Sequence, residues 1–303
     1  MLRDLRAERD EQTEAALDVI AALDADILLL LDVDWDHGGL GLQALLDRLS
    51  DHGCDYAHTV ALKPVTGLPS GYDLDGNGAL GEARDALGYG RFTGDSGLVL
   101  LSRYPLGPVT DLSTELWADH GPDAADLLPE GAERIVPLTT TAQWVIPLQI
   151  GSQTMTLITL AAGTPVYDGP EDRNGIRNRD ELQRVAALAA DWQTPIVLGR
   201  ANVDPMDGEG LQEGIGALLA HPVLRDPAPR GYGGDGAGHR GDPALDTVDW
   251  QGPGPLRVDY VLPAQSLEVT AAGVLWPGPD HPLFETLEVA GPGRPVWVDI
   301  ALP

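Results

Sequence analysis

Positive charge is scarce in this sequence. Lys63 is the only lysine, and 19 Lys+Arg stand against 47 Asp+Glu, for a formal net charge of -28. Affinity for nucleic acid comes chiefly from neutralising phosphates with basic side chains, and no basic run is present, so a broad nucleic-acid surface is excluded. Thiols are scarcer still. Cys54 stands alone, which rules out an intrachain disulfide and any cysteine-built metal cluster. Long apolar runs are also missing: the longest, Ile27 to Leu31, is far too short to cross a bilayer. The opening MLRDLRAERDEQ is charged and shows no export signal, so the expectation is a soluble protein, cytoplasmic by default.

What is present is enough apolar residue, 43%, to build a sizeable core in a chain of 303 residues. Ala16, Leu17, Ile20 and Leu23 recur at helical spacing and predict a helix over Glu8 to Leu23. It runs into DILLLLDVD, a continuous apolar run bounded by acids and suited to a strand covered on both faces. Leu42, Leu45, Leu46 and Leu49 mark a second helix. AQWVIPLQI and TMTLITL flank Gly151-Ser152 as a hairpin, and a third helix is expected over Arg177 to Trp192. Helices alternate with strands early and hairpins dominate late, which favours mixed sheets covered by helices. Long Gly-, Pro- and Asp-rich stretches, such as Lys63 to Tyr89 and Arg225 to Gly254, read as loops.

Five segments in order, ADILLLLDVD, GLVLLSRYPL, IVLGRANVDP, RVDYVLP and RPVWVDI, resemble the endonuclease/exonuclease/phosphatase superfamily. PVYDGPEDRNG, DPMDGEG and HRGDPALDTVDW are similar to a bacterial subgroup of it. The resemblance implies a four-layered α/β sandwich, two face-packed mixed β-sheets flanked by helices, as one domain over 1–303 that lacks the family's usual N-terminal strand. It also implies a metal-dependent phosphoesterase site at one end. In active relatives a glutamate on the first acidic strand holds Mg²⁺ or Mn²⁺, the Asp of a Gly-Asp-x-Asn segment handles the attacking water, and two histidines stabilise charge on the phosphate.

This chain departs from that pattern at most of those positions. Asp32 stands for the glutamate, and Arg200 stands for the Asp of Gly-Asp-x-Asn, leaving Asn202. Pro292 and Gly293 replace the Asp-His pair before the last strand, and Ala161 or Ala162 falls where the other histidine is expected. Asp32 and Asn202 are therefore read as vestiges of the site. A catalytically degenerate protein with a binding or scaffold role follows, with a protein as its partner. Two alternatives stay open. One is an active Mg²⁺- or Mn²⁺-dependent phosphodiesterase or nuclease with a rebuilt site, in which His37 or His239 substitutes for the lost groups. The other is a structural subunit stabilised by calcium, since Asp73, Asp75 and Asn77 fit the front of a D-x-[DN]-x-[DN]-G loop. In the back half of that loop, Arg84 takes the twelfth position between Glu82 and Asp85.

Overall fold

The computed structural model describes residues 1–302. In chain order the elements are α1 (Leu2–Ala7), α2 (Glu11–Leu23), β1 (Ile27–Val33), α3 (Leu40–Asp51), β2 (His58–Val60), β3 (Gly97–Ser102), β4 (Thr110–Asp111), α4 (Ala124–Leu127), β5 (Trp144–Ile150), β6 (Gln153–Ala161), α5 (Arg173–Ala190), β7 (Pro195–Arg200), α6 (Gln212–Leu219), β8 (Val248–Trp250), β9 (Gly254–Leu256), β10 (Asp259–Pro263), β11 (Val269–Val274), α7 (Phe284–Ala290) and β12 (Val296–Ile300). Short 3₁₀ turns lie in the loops.

Strands pair in the order β10-β7-β6-β5-β4 to make a mixed sheet, with β6 and β7 parallel and the other pairs antiparallel. The facing layer comes in two pieces, β1-β3-β2 and β11-β12, both antiparallel. Alternation of side chains along each strand explains how the layers stack. Ile27, Leu29 and Leu31 of β1 join Leu98, Leu100, Ile146, Leu157 and Leu198 in a core between the sheets. Leu28 and Leu30 point the other way, into a second core with Leu5, Leu17, Leu45 and Leu49 of the helices. On the far side, Leu182, Val185 and Ala189 of α5 and Ile215 and Leu218 of α6 cover the mixed sheet. The four layers expected from the resemblance are therefore present. The second sheet differs from expectation in being divided and wholly antiparallel, because β1 and β12 share no backbone bond.

Two helix boundaries also differ from the sequence reading. Glu8 has a left-handed backbone, φ 52°, which ends α1, and α2 starts only after Asp10, whose carboxylate accepts from Thr13 N at 2.8 Å. The third predicted helix begins a turn earlier, at Arg173, because Asp172 (φ 53°) closes the preceding loop and the Asp168 carboxylate accepts from Asn174 N.

Candidate active site at the strand ends

Two left-handed residues and one glycine shape the end of the sandwich where β1, β6, β7 and β10 finish or begin. The register of β1 shifts between Leu30 and Val33, and Asp32 (φ 59°) is turned outward, its side chain 70% exposed. Gly199 has φ 130°, and a side chain there would lie 1.9 Å from the Leu160 carbonyl oxygen, so glycine lets β7 close on β6. Asn202 (φ 58°) turns the chain beyond β7, and its Nδ2 donates to Ala162 O at 2.7 Å.

Arg200 is the centre of this end. It sits opposite Asp259 in the β7–β10 ladder, and its Nε and Nη2 donate to the two Asp259 oxygens at 2.8 and 3.2 Å. Its Nη1 lies 3.6 Å from Asp32 Oδ2. Burial alone would lower its pKa, but Asp259, assisted by Asp32, outweighs that and raises it, so the guanidinium is a fixed cation. Gly293 borders the same group: a Cβ added there would stand 3.5 Å from Arg200 Nη2. The backbone of Pro292 and Gly293 is tied to β8, through Asp249 N to Pro292 O at 2.9 Å and the Val248–Gly293 bridge.

Asp32, Arg200 and Gly293 are thus brought together, as the resemblance implied, and Asn202 follows at the end of β7 with its side chain tied to Ala162. Ala161 and Ala162 end β6 beside them, but their methyl groups enter the two cores on either face of the mixed sheet. Ala161 pairs with Arg200 in the β6–β7 register and shares its face of the sheet, so it borders this end of the sandwich with a methyl group that offers no donor. His37 stacks edge-on against Trp35 at 6.2 Å, and His239 lies beside Gly254; neither hydrogen-bonds nor ion-pairs with Arg200, Asp32 or Asn202 among the described residues.

A divalent cation does not fit this donor set. Both oxygens of Asp259 are used by a guanidinium, the other acid at hand is Asp32, and a permanent cation already stands between them. Hard metals need free anionic oxygens, and a fixed neighbouring positive charge works against them.

The support behind the strand ends is polar and buried. Asn178 Nδ2 donates to Gly163 O and Ala201 O at 2.6 and 2.8 Å, joining the ends of β6 and β7. Glu181 accepts from Thr140 N, Thr140 Oγ1 and Gly163 N at 2.7, 3.0 and 2.8 Å, while burial pushes its pKa up to about 7. Asp204 caps the next turn through Met206 N and Asp207 N and holds Arg257 N. Beside it, Asp246 is 6% exposed, and burial with the Asp204 charge raises its pKa to about 7. Sequence reading missed Asp259, Asn178 and Glu181. Asp259 lies in the quoted RVDY segment, but only the strand register reveals that it faces Arg200.

The acidic loop forms a separate cluster. Asp73, Asp75 and Asp85 each offer a carboxylate oxygen, all within 4.8 Å of one another. Asn77 adjoins them: its Nδ2 donates to Asp75 and Glu82 and its Oδ1 accepts from Ala79 N. Asp85, which also accepts from Leu74 N and Glu82 N, is the third acid of the cluster.

A sequence model of the Endonuclease/Exonuclease/phosphatase family matches residues 3–293. The chain belongs to the endonuclease/exonuclease/phosphatase family. Among solved structures it is similar to a family protein from Leptotrichia buccalis C-1013-b, with 14% identity and a TM-score of 0.57 over 97% of this chain and 95% of that one. A family protein from Beutenbergia cavernae DSM 12333 gives 17% identity and a TM-score of 0.57, with 97% of this chain covering 66% of the other. A 3'-5' exonuclease (NExo) from Neisseria meningitidis gives 14% identity and 0.55, covering 96% and 95%. No curated protein matches the sequence. At these identities the likeness establishes the fold, and members of this family generally use divalent metals. No helix is long and apolar enough to cross a membrane among the described residues.

Proposed function

We propose that this member of the endonuclease/exonuclease/phosphatase family has lost phosphoester hydrolysis and serves as a binding or scaffold protein. One observation carries the reading: Arg200, ion-paired to Asp259 and facing Asp32, stands where the resemblance requires a carboxylate for the attacking water. Turning a base into a permanent cation removes proton transfer, and Gly293 and Pro292 bring no donor for the developing phosphate charge. Each such group is worth roughly 10²- to 10⁴-fold in rate. A net charge of -28 favours a protein partner over nucleic acid.

Manganese binding tests this directly. Mn²⁺ titrated into the protein and followed by electron paramagnetic resonance should give the same binding curve in the unmodified chain, Asp32→Ala and Asp259→Asn. A site that disappears in either variant would mean that the strand ends hold a catalytic metal, and the reading would fail.

Asp73, Asp75 and Asp85 support a second, compatible reading in which calcium stiffens the loop over 73–85 as a structural ion. That role is remote from hydrolysis and adds nothing to the chemistry at Arg200.

A further inference from the structure

Two of the four asparagines precede a glycine, in Asn77-Gly78 and Asn174-Gly175. Glycine has no Cβ to shield its amide nitrogen, which can therefore reach the side-chain carbonyl carbon of the asparagine before it. The two pairs are held differently. Asn174 stands in the first turn of α5, with Nδ2 donating to Val166 O at 2.9 Å, and closing a ring there would require the helix to open. Asn77 and Gly78 lie in an exposed loop, where Gly78 has φ 84°, a left-handed conformation that glycine adopts readily.

The bonds around Asn77 and Gly78 fall on the atoms that an acyl transfer uses. Gly78 N donates to Asp73 Oδ2 at 2.8 Å, so a carboxylate is aimed at the proton that an attacking amide must lose. Ala79 N donates to Asn77 Oδ1 at 2.7 Å, where negative charge develops when the side-chain carbonyl is attacked. Asn77 Nδ2, the group that would leave, donates to Glu82 Oε2 at 2.7 Å and to Asp75 Oδ2 at 3.1 Å. The backbone is anchored as well, since Asn77 N donates to Asp73 Oδ1 and Asp75 Oδ1 at 3.1 and 3.3 Å. A base and an oxyanion donor thus meet at one asparagine that water can reach.

We infer that Asn77-Gly78 is a site of self-catalysed deamidation, with water as the only co-reactant. Gly78 N gives its proton to Asp73 and attacks Asn77 Cγ; a C–N bond forms and the carbonyl electron pair moves to Oδ1. That pair returns, the Cγ–Nδ2 bond breaks, and Nδ2 leaves as ammonia with the proton that Asp73 hands back through water. Water then opens the cyclic imide at either carbonyl, leaving an aspartyl or an isoaspartyl residue. The product carries a carboxylate where the amide stood. Asp75 and Glu82 lose the N–H groups that tie them, and a further negative charge joins Asp73, Asp75 and Asp85. A loop closed by amide donors becomes one of mutually repelling acids, a one-way change that records the age of the chain. The inference is independent of the chemistry at Arg200.

The test incubates the purified chain in metal-free neutral buffer and follows the amide-to-acid mass gain at Asn77 and Asn174 by peptide mass spectrometry. Asn77 should convert at least about tenfold faster in the folded chain than in the same chain unfolded in guanidinium chloride, because only the fold supplies the base and the oxyanion donor. Asn174 should convert more slowly folded than unfolded. Asp73→Asn should remove the advantage of the folded state, whereas Asp75→Asn, which leaves the Gly78 to Asp73 bond in place, should keep most of it. A folded rate at Asn77 equal to or below the unfolded rate would overturn the inference, and so would undiminished conversion in Asp73→Asn. Equal losses in the two variants would also overturn it, by showing that loop order and not the Asp73 carboxylate sets the rate.

Discussion

Arg200 and Asp259 face each other across the β7–β10 ladder and share two hydrogen bonds, 2.8 and 3.2 Å long. Asp259 is mostly shielded from water, its side chain 13% exposed, so its charge depends on the guanidinium. Removing one member of a shielded pair leaves the other uncompensated. Arg200→Ala should therefore cost roughly 2–4 kcal/mol in urea unfolding, and Asp259→Asn in that background should return part of it. Additive losses in the double variant would show that the pair is not coupled.

Single reversions should leave the protein inactive. Arg200→Asp restores a carboxylate but no histidine, and groups acting as a unit are strongly non-additive. Arg200→Asp combined with Pro292→Asp and Gly293→His is sterically reasonable, because the first change removes the guanidinium that a side chain at Gly293 would meet. The triple variant should gain at most a slow Mn²⁺-dependent turnover. A single reversion with turnover near the triple variant's would contradict this.

The fold and the site were legible in the sequence to different degrees. The Leu-rich run of β1 and the Gly151 hairpin are local signals, and both elements lie where the patterns put them. Asp32 and Arg200 were readable as substitutions within matched segments. Asp259 was not, since it meets Arg200 only through pairing of strands 59 residues apart. Ala161 was readable by its place in the sequence, and the β6–β7 register sets it beside Arg200.

Stability should fall as pH rises toward 7, and Asp246 should carry part of that fall. Its pKa rises from 3.8 to about 7 on folding, through burial and the Asp204 charge. The folded protein thus keeps a proton that the unfolded chain has released, a contribution full below pH 3.8 and lost as pH passes through about 7. Glu181, also raised to about 7, acts with the same sign. Asp246→Asn should flatten the melting temperature between pH 5 and 8 and raise it by a few degrees at the upper end, on the order of 1 kcal/mol or more. An unchanged slope would refute the assignment.

Glu181 should matter more than a surface acid. Its three bonds to Thr140 and Gly163 fix the strand end beside Asn178. Glu181→Ala strands two backbone N–H groups, at a cost of roughly 2–4 kcal/mol, whereas Glu181→Gln keeps an acceptor and should cost less. Equal losses in urea unfolding would deny the acceptor role.

If calcium occupies the loop cluster, millimolar Ca²⁺ should raise the melting temperature and EDTA should lower it. Saturation at a hundred times the dissociation constant adds about 2.7 kcal/mol. Asp85→Asn should abolish the shift and Asn77→Ala should retain most of it. The reverse ranking would make Asn77 the ligand and leave Asp85 outside the site.

The most direct test is the initial rate of bis(p-nitrophenyl) phosphate hydrolysis by the unmodified protein with Mn²⁺, compared with Asp32→Ala and Asn202→Ala. No turnover above the buffer with Mn²⁺ alone is expected in any of the three. EDTA-sensitive hydrolysis that Asp32→Ala and Asn202→Ala abolish would show that the strand ends still form a working phosphoesterase.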